Sequence, residues 1–539
     1  MVVIAETLVP EASGSMWRIW RAPVAPTRLC EVGGWAHGCL VFVAALALYT
    51  LTAGGSLSST DAVVTFDLTQ SLVERHSIAL SGNLLGREDN RGRDGRYYSQ
   101  FGIGQSLYNV PFYLVGRAAA RSTSRAIGTS NTLPKAAVAL GSAVAAAVAV
   151  LFIWLLALRI SEDARAALLA ATSAAVASPL WPYSKFGFST ALTSAVLAAS
   201  AYFCWRAASG ARTRAAFAAG LVMAFGWLTR HEIALMLIPF CVFLKVEGRR
   251  RGSTPREVLH QIVALLATAS AGGVLWMAYN TVRFGNPTAV GYVPSFSWQG
   301  YAAFLLAPGG SVLLFCPLVL VWLWGLFQVK WSIRGAVVLL AGPLIVAYLF
   351  YGALADWPGG RSYGPRYLVP ALALLAPGLA LLLRSNQMSR RVAVAVIAVG
   401  AVLQLPGVLV DHSKVSLEWA RGADRQAIAE RNWHVASSSL MLNARAAALA
   451  IPRNIAYLTG RTQMPTVDAA GLEGDRDFGQ RFAFSPDLWW LYLVYMGVLG
   501  TGSASVVAVS LAMVTIVAVS LAWKFDSIAV TVIDGHERS

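Results

Sequence analysis

Asp61 is the residue in this sequence that is best placed to act as a general base. It follows the first strongly apolar stretch and begins a polar segment that runs to about residue 105. A carboxylate at a membrane surface, beside a water-accessible cavity, can accept the proton of an acceptor hydroxyl group. The alternative is that Asp61 is only a solvated loop residue.

A second candidate set consists of basic residues beside apolar segments. Arg230 and His231 stand with Glu232 in a short polar turn, and Arg361 and Arg366 lie in the glycine-rich run WPGGRSYGPRY. Guanidinium groups grip phosphate by paired hydrogen bonds, and ionisable groups at membrane depth usually serve a site. The set predicts a phosphate-binding region. The alternatives are a surface ion pair for Arg230, contact with lipid headgroups for Arg366 and a structural role for His231.

Composition places the chain among membrane proteins. Of its 539 residues, 56% are hydrophobic and only 13% are charged, and the mean hydropathy is +0.57. Soluble domains carry about 25% charged residues. Backbone amides in lipid must be paired internally, so long apolar runs predict helices and an all-α polytopic protein. The net charge of +16 then indicates basic cytoplasmic loops, and no nucleic-acid partner is expected.

Apolar runs of the required length predict about twelve spans. They lie near residues 35–54, 135–158, 165–182, 188–207, 214–228, 232–246, 258–279, 309–328, 334–354, 367–384, 391–410 and 503–523. With a cytoplasmic N-terminus, every loop predicted to be inside is basic, as the positive-inside rule requires. The segment at 106–118 is too short to span and is predicted to be interfacial or re-entrant.

This threading divides the chain into four parts. Residues 1–34 are a cytoplasmic segment, and residues 35–410 are a transmembrane domain whose first outer loop, 55–134, carries Asp61. Residues 411–502 are predicted to form a small helical domain on the outer face. Residues 503–539 are the last transmembrane helix with a cytoplasmic tail.

The positions of the charges favour an enzyme. Acids and arginines concentrate at the outer ends of the predicted spans, and the middles of the spans carry almost none. A secondary transporter or lipid flippase, which is the main alternative, needs ionisable groups near the midplane of the bilayer. A non-catalytic envelope-assembly protein on the same scaffold is a further alternative, since a fold does not establish a function.

Cysteine spacing and the first apolar stretch exclude two other readings. The five cysteines lie in or beside apolar segments without CxxC spacing, so neither a disulfide framework nor a cysteine zinc site is predicted. The first apolar stretch begins near residue 35 and is long enough to span, so no removable signal peptide is expected.

Five motifs share one predicted outer location and follow one another in a fixed order. They are DAVVTFDLTQSLVER, DGRYYSQFGIGQSLYNVPFYLVG, SPLWPYSKFGFS, YNTVRFGNPTAVGY and WPGGRSYGPRYLVPAL. In this order they resemble the bacterial GT-C glycosyltransferases, which are related to protein O-mannosyltransferases and lipid A aminoarabinose transferases. The resemblance covers most of residues 35–410 and the later DLWWL segment.

The resemblance implies a GT-C-like bundle and a role for each matching residue. The donor would be a sugar on a polyprenyl phosphate, and the acceptor a glycan, lipid or protein outside the bacterial cytoplasmic membrane. Asp61 would be the catalytic carboxylate, and Arg366 would hold the donor phosphate. Arg361 would assist Arg366, and Asp94, Tyr97, Tyr98 and Tyr363 would bind the substrate. Beside what the resemblance implies, Arg230 and His231 are candidates for phosphate binding, and Asn280 and Arg283 are candidates for substrate binding.

Two departures from the family pattern bear on metal binding. Many relatives have a second acid directly after the first, where this chain has Ala62, and another near the fourth span, where it has Thr190. Asp67 and Asp94 are left as candidate second acids. The expectation is that no cofactor is required, and that a divalent metal, although compatible with the chemistry, is not indicated.

Overall fold

The computed structural model describes most of the chain. The described residues are 28–122 except 58, 85 and 87; 131–289 except 211; 295–328; 334–419 except 361; 425–462; 486–495; and 499–536. Arg361, one of the predicted phosphate-binding residues, lies outside them. In these ranges the chain forms helices and no strand, with isolated antiparallel bridges at Arg91–Tyr97 and Phe296–Leu354.

The helices of the first half carry most of the candidate residues. They are α1 (Arg28–Leu51), α2 (Thr60–Gln70), α3 (Gly104–Ser122), α4 (Thr132–Ser161), α5 (Ala164–Val176), α6 (Leu180–Tyr183), α7 (Ser189–Ala208), α8 (Thr213–Thr229), α9 (Leu237–Arg250) and α10 (Pro255–Phe284). A 3-10 turn, His231–Met236, joins α8 to α9.

The second half is broken into shorter pieces. Its helices are α11 (Gln299–Leu306), α12 (Val312–Phe315), α13 (Leu318–Phe327), α14 (Arg334–Gly352), α15 (Val369–Ala373), α16 (Pro377–Arg384), α17 (Arg390–Leu409), α18 (His412–Trp419), α19 (Arg425–Arg431), α20 (Ser439–Leu458), α21 (Trp489–Tyr495) and α22 (Thr501–His536). A 3-10 turn, Arg366–Leu368, precedes α15.

The described helices confirm an all-α polytopic protein. Six segments are long and apolar enough to cross a membrane: Thr132–Ser161, Pro255–Phe284, Gly335–Gly352, Arg366–Arg384, Arg390–Leu409 and Thr501–Lys524. Four shorter apolar helices accompany them: Ala36–Leu51, Ala164–Val176, Thr213–Thr229 and Leu318–Phe327. These helices indicate a multi-pass membrane protein, while the number of twelve spans stays a prediction.

Two segments predicted as single helices are interrupted. The region 309–328 contains α12 and α13, which are separated at Cys316 and Pro317. The region 367–384 consists of a 3-10 turn, α15 and α16, and Pro377 stands in the first turn of α16. Proline lacks the backbone N–H that a continuous helix needs, so each break falls where the chain can begin a new helix.

The segment predicted as a short interfacial piece is a longer helix. Helix α3 has 19 residues and contains Pro111, whereas the prediction covered only residues 106–118. It packs against α2 and α4. The Ser106 hydroxyl donates to the Thr65 carbonyl at 3.0 Å, and the Thr69 hydroxyl donates to the Ser106 carbonyl at 3.2 Å. Helix α3 therefore fixes α2, the helix that begins beside Asp61.

The core and the periphery of the bundle differ sharply in burial. In the most apolar 18-residue window of Arg366–Arg384, 94% of the window is buried inside the protein. In the corresponding window of Thr501–Lys524, the buried share is only 11%. The latter belongs to α22, which packs along α1 and exposes apolar side chains such as Val506 and Ile516. The segment that begins with Arg366 is thus the centre of the bundle, and the last helix is its apolar exterior.

Helix α1 ends against the segment that precedes α22. The Trp489 indole N–H donates to the Thr50 carbonyl at 2.8 Å, and the Trp490 indole N–H donates to the Leu51 carbonyl at 3.0 Å. The last carbonyls of a helix have no partner within it, so these indoles cap α1. The run Leu488 to Tyr492 thus joins the end of α1 to the segment before α22.

Charged contacts gather at opposite ends of the helices. At the end predicted to be cytoplasmic, Arg384 pairs with Glu162 at 2.9 Å and Arg390 pairs with Asp163 at 3.3 Å. At the opposite end of the segment Arg366–Arg384, Arg366 pairs with Asp61. Residues predicted to lie on one side of the membrane thus contact one another, while the direction in which the chain crosses the membrane stays a prediction.

Candidate functional site

The local structure around Asp61 places its carboxylate at the start of a helix. Asp61 lies in the first turn of α2, and the Ser59 hydroxyl caps this helix by accepting from the Ala62 N–H at 3.1 Å. A negative charge in the first turn is stabilised by the helix dipole. The Asp61 side chain is 28% exposed, so it is accessible to a substrate as well as to its neighbours.

Arg366 contacts Asp61 across a separation of 305 residues. Its Nη2 donates to the Asp61 Oδ2, and its Nη1 donates to the Gly359 carbonyl at 3.2 Å. The guanidinium lies 3.9 Å from the centre of the Phe188 ring. The Arg366 side chain is 10% exposed. The structure therefore brings together the two residues on which the sequence hypothesis rests, while their chemical roles stay predictions.

Arg230 lies in a second ion pair beside this one. Its Nε and Nη2 both contact Glu232 Oε1 at 2.9 Å, and the Tyr351 hydroxyl donates to the same oxygen at 2.8 Å. The Arg230 guanidinium also lies 5.6 Å from the Tyr351 ring and 5.2 Å from the Tyr367 ring. The side chains of Arg230 and Glu232 are only 11% and 15% exposed, so this is not the surface ion pair that the sequence left as an alternative.

The charge of Glu232 is maintained by its neighbours. Arg230 lies 2.9 Å and His231 lies 3.4 Å from the two oxygens of this carboxylate. The charge of Glu232 therefore balances the charge of Arg230. His231 itself stacks on Trp276 at 5.2 Å and lies 3.4 Å from the second Glu232 oxygen.

A narrow cavity lies beside Arg230, and the space in it that admits the centre of a water molecule is about 20 Å³, which is room for about one water molecule. Arg230, Glu232, Tyr351 and Tyr367 form its polar lining, and the remaining lining comes from Thr193, Leu197, Ile233, Met236, Ala347, Pro370 and Ala371. Tyr351 and Tyr367 are stacked face to face at 4.5 Å, and Tyr367 directly follows Arg366 in the chain.

The DGRYYS residues form a separate group. The Tyr98 hydroxyl donates to Asp94 Oδ2 at 2.9 Å, and the Tyr97 hydroxyl donates to Glu88 Oε1 at 3.1 Å. The hydrogen bond from Tyr98 is the main cause that lowers the pKa of the exposed Asp94 carboxyl. Within the described residues, no hydrogen bond or ring contact links this group to Asp61 or Arg366. The structure thus does not bring the DGRYYS residues into contact with the Asp61–Arg366 pair.

Three of the predicted substrate-binding residues are buried and engaged with the protein itself. Arg283 is 1% exposed and donates to the carbonyls of Ser99 and Phe101 and to the Asn280 side chain. Asn280 donates to the Pro287 carbonyl at 3.0 Å. Arg283 thus holds the loop at 99–101, and Asn280 holds Arg283 and the chain at Pro287. Direct contact of either side chain with a substrate stays a prediction.

Tyr363 also contacts the protein itself, and its predicted role in substrate binding stays a prediction. It is fully buried, its hydroxyl donates to the Leu403 carbonyl at 3.2 Å, and its backbone N–H donates to the Tyr183 hydroxyl at 3.0 Å. A buried hydroxyl needs such a partner, so these bonds give Tyr363 a packing role. The sequence offered no means to separate it from Arg366, since both lie in the same short motif.

The candidate second acids, Asp67 and Asp94, each contact other groups of the protein. Asp67 accepts from the Ser81 N–H at 2.8 Å and lies 3.5 Å from Arg75, which fixes the loop after α2. In the part of the chain that the structure describes, no three His, Cys, Asp or Glu side chains converge. The independence from metal stays a prediction.

The family comparison agrees with the resemblance carried by the motifs. Residues 129–284 match the family model described as dolichyl-phosphate-mannose-protein mannosyltransferase. The chain resembles GT-C membrane glycosyltransferases. The matched region runs from α4 through α10 and includes Arg230, whereas Asp61 and Arg366 lie outside it. A search of curated proteins found no match.

Several solved structures align with much of the chain at low identity. ArnT from Cupriavidus metallidurans in the apo state has 14% identity and a TM-score of 0.45, with 85% of each chain covered. The same protein bound to undecaprenyl phosphate has 16% identity and a TM-score of 0.42, with 84% of this chain and 85% of that one covered.

An archaeal structure aligns as well. The oligosaccharyltransferase AglB from Archaeoglobus fulgidus, in complex with an inhibitory peptide and a dolichol-phosphate, has 12% identity and a TM-score of 0.42. The alignment covers 83% of this chain and 59% of that one. The chain thus spans less than two thirds of the archaeal protein.

The sequence analysis did not single out one buried ion pair, which joins Lys185 to Asp487. Lys185 Nζ lies 2.9 Å from Asp487 Oδ2 and donates to the carbonyls of Val408 and Asp487 at 2.6 and 2.7 Å. The two side chains are 1% and 2% exposed. A lysine inside the apolar motif SPLWPYSKFGFS was the signal for it, because buried charges need a partner.

The loop at 99–104 packs so tightly on α8 that an added methyl group should displace it. A Cβ at Gly102 would stand 2.1 Å from the Leu228 carbonyl oxygen, two residues before Arg230. We expect Gly102→Ala to cost about 1–3 kcal/mol of stability through overpacking and to lower activity by shifting the Arg230 turn.

The matched control is Gly82→Ala in the region between α2 and α3, where a Cβ would meet nothing within 4 Å. It should change stability by less than about 0.5 kcal/mol. Thermal unfolding of the two purified variants measures the stability of each. Equal unfolding temperatures for the two variants would show that the loop does not press on α8.

Proposed function

We propose that this chain is a membrane glycosyltransferase that moves a sugar from a polyprenyl-phosphate donor to a cell-envelope acceptor. The reaction would take place on the outer side of the bacterial cytoplasmic membrane. The observation that carries the proposal is the contact between Asp61 and Arg366 beside a cavity that Arg230 lines. The carboxylate proposed as the base and the two guanidinium groups proposed to bind phosphate lie within one region of the bundle.

The proposed reaction is a single displacement at the anomeric carbon. The acceptor oxygen forms the new bond to this carbon and gives its proton to the Asp61 carboxylate. The bond between the anomeric carbon and the phosphate oxygen breaks, and its electron pair leaves with the polyprenyl phosphate. Arg366 and Arg230 stabilise the charge that develops there. One displacement inverts the anomeric configuration.

The surroundings of the two arginines fit a phosphate better than a lipid headgroup at the surface. Arg366 is mostly buried and rests on Phe188, and Arg230 rests on two tyrosine rings. Electrostatic interactions are stronger in such low-dielectric surroundings than in water. The arginines are therefore held in place before the substrate arrives, as transition-state stabilisation requires.

The proposal is tested most directly in the cell envelope. In a strain without the protein, mass spectrometry should show the loss of one sugar residue from an envelope glycan, glycolipid or glycoprotein. The corresponding polyprenyl-phosphate sugar should accumulate. An unchanged set of envelope glycans and lipid-linked sugars would contradict the proposal, and the missing residue would identify the sugar and the acceptor.

Arg366 variants test the phosphate-binding role in the purified protein. We expect Arg366→Gln to lower kcat by about 10²–10³-fold, as loss of one electrostatic contact to a developing charge does in other enzymes. Arg366→Lys should retain more activity but not full activity, because an ammonium lacks the two-pronged donor geometry. The activities of the two variants are measured as the rate of sugar transfer from the donor identified above, with the protein in lipid nanodiscs.

Arg384→Gln is the control, because this arginine pairs with Glu162 at the opposite end of the same segment. It should leave the rate of transfer within about twofold of the wild type, since exposed ion pairs contribute little. Equal losses for Arg366→Gln and Arg384→Gln would indicate a general effect of charge and would remove Arg366 from the mechanism.

A further inference from the structure

The charges of the candidate site are balanced in pairs before any substrate binds. Arg230 is neutralised by Glu232, and Arg366 is neutralised by Asp61. A phosphate that enters must therefore take a guanidinium away from a carboxylate, or share it. The two pairs differ in how readily they can give way.

The Arg230–Glu232 pair is fixed by several contacts. The partners are two residues apart, they share two close nitrogen–oxygen contacts, and Tyr351 donates a further hydrogen bond to Glu232. The Asp61–Arg366 pair consists of one contact between residues on distant parts of the chain. Asp61 is also the more exposed member, at 28% against 10% for Arg366. This second pair is the one that can open.

Arg366 has an unused donor on the side that Asp61 occupies. Nε and Nη2 form one edge of a guanidinium, which can hold two oxygens of an oxyanion at once. Asp61 accepts only from Nη2, and the Arg366 Nε is buried without a hydrogen-bond partner among the described residues. Asp61 thus fills half of an edge that suits two phosphate oxygens.

We propose that the Asp61–Arg366 ion pair is a switch operated by the donor. The phosphate of the polyprenyl-phosphate sugar takes over the Nε–Nη2 edge of Arg366 and releases the Asp61 carboxylate, which then acts as the base. The proposal rests on the proposed function and adds an order of events to it: the donor binds first, and only then is an acceptor hydroxyl or a water deprotonated.

The switch has a chemical benefit. Without the donor, the Asp61 Oδ2 accepts a hydrogen bond from the Arg366 Nη2. This oxygen is then engaged with the protein and is not free to accept the proton of an acceptor hydroxyl group. The helix dipole at the start of α2 stabilises the released carboxylate, so opening the pair does not leave the charge unsupported. Base and leaving group are thus activated in one binding event.

Binding of undecaprenyl phosphate, without a sugar, tests the switch independently of catalysis. Because Asp61 competes with the phosphate for Arg366, we expect Asp61→Asn to tighten the Kd by about five- to tenfold, which corresponds to about 1–1.4 kcal/mol. Arg366→Gln should weaken it. In the Arg366→Gln background, Asp61→Asn should no longer tighten binding, because position 366 then has no guanidinium for which Asp61 and the phosphate could compete.

Two controls separate the switch from simpler effects. Glu88→Gln removes one negative charge from the same outer loop, at a side chain that is 70% exposed, and should leave the Kd within about twofold of the wild type because exposed charges are screened. Undecaprenol, which lacks the phosphate, should bind all variants alike. Equal tightening by Glu88→Gln, or tightening that persists without Arg366, would overturn the switch.

The outcomes also distinguish the switch from the proposed function. If the wild type binds undecaprenyl phosphate but Asp61→Asn does not bind it more tightly, the switch is wrong and the proposed function stands. If the wild type does not distinguish undecaprenyl phosphate from undecaprenol, the phosphate-binding role fails and the proposed function fails with it.

Discussion

Asp61→Asn should reduce sugar transfer by about 10²–10⁴-fold, the usual contribution of a general base. Asparagine has nearly the same shape as aspartate, and its carbonyl oxygen can still accept from Arg366, so the contact that joins α2 to the central segment persists. What is lost is the ability to accept a proton. The measurement is transfer by the purified variant in lipid nanodiscs, with thermal unfolding recorded on the same sample.

Asp67→Asn is the matched control on the same helix. Asp67 holds the Ser81 N–H and Arg75, and an asparagine can keep the first of these bonds. We expect a small change in unfolding temperature and a kcat within about threefold of the wild type, because an ion pair of this exposure contributes about 1 kcal/mol or less. Full activity of Asp61→Asn, or equal losses for both variants, would refute Asp61 as the base.

Lys185→Met should destabilise the protein more than any other substitution considered above. Asp487 is 2% exposed and has Lys185 at 2.9 Å, and the loss of this partner leaves a buried carboxylate without its closest counter-charge. Breaking a buried ion pair on one side costs about 3–5 kcal/mol. Thermal unfolding in detergent and the yield of folded protein measure the effect.

The double variant Lys185→Met with Asp487→Asn separates charge from packing. It removes the uncompensated carboxylate and should recover a large part of the lost stability, whereas a purely steric role for Lys185 predicts no recovery. Arg384→Met is the control for an exposed pair, since Glu162 is 73% exposed, and should cost about 1 kcal/mol or less. A Lys185→Met variant as stable as Arg384→Met would show that the pair is not structural.

The same ion pair explains how distant parts of the chain support the candidate site. Lys185 is three residues before Phe188, whose ring lies against the Arg366 guanidinium. Asp487 is two residues before Trp489, which caps the end of α1. The Tyr492 hydroxyl also donates to Asp487 at 2.7 Å. The buried pair therefore connects the end of α1, the segment before α22 and the Phe188 ring that lies against Arg366.

Several features of the protein followed from local patterns. Apolar runs of about 20 residues predicted a helical membrane protein, because each such run must satisfy its own backbone hydrogen bonds in lipid. The placement of Asp61 and Arg366 at the ends of apolar segments marked both as candidates, since charges there are costly. Where prolines interrupt these runs, as at Pro317 and Pro377, hydropathy alone predicted one helix and the backbone formed two.

Only the packed structure separated the candidate residues from one another. Arg283 and Arg366 are both arginines at segment ends. The Arg283 guanidinium donates hydrogen bonds to the Ser99 and Phe101 carbonyls, whereas the buried Arg366 Nε has no hydrogen-bond partner among the described residues. A residue type and its local spacing indicate which chemistry is available. Which partner a side chain meets is decided by contacts across about 300 residues of chain, and these depend on how the helices pack.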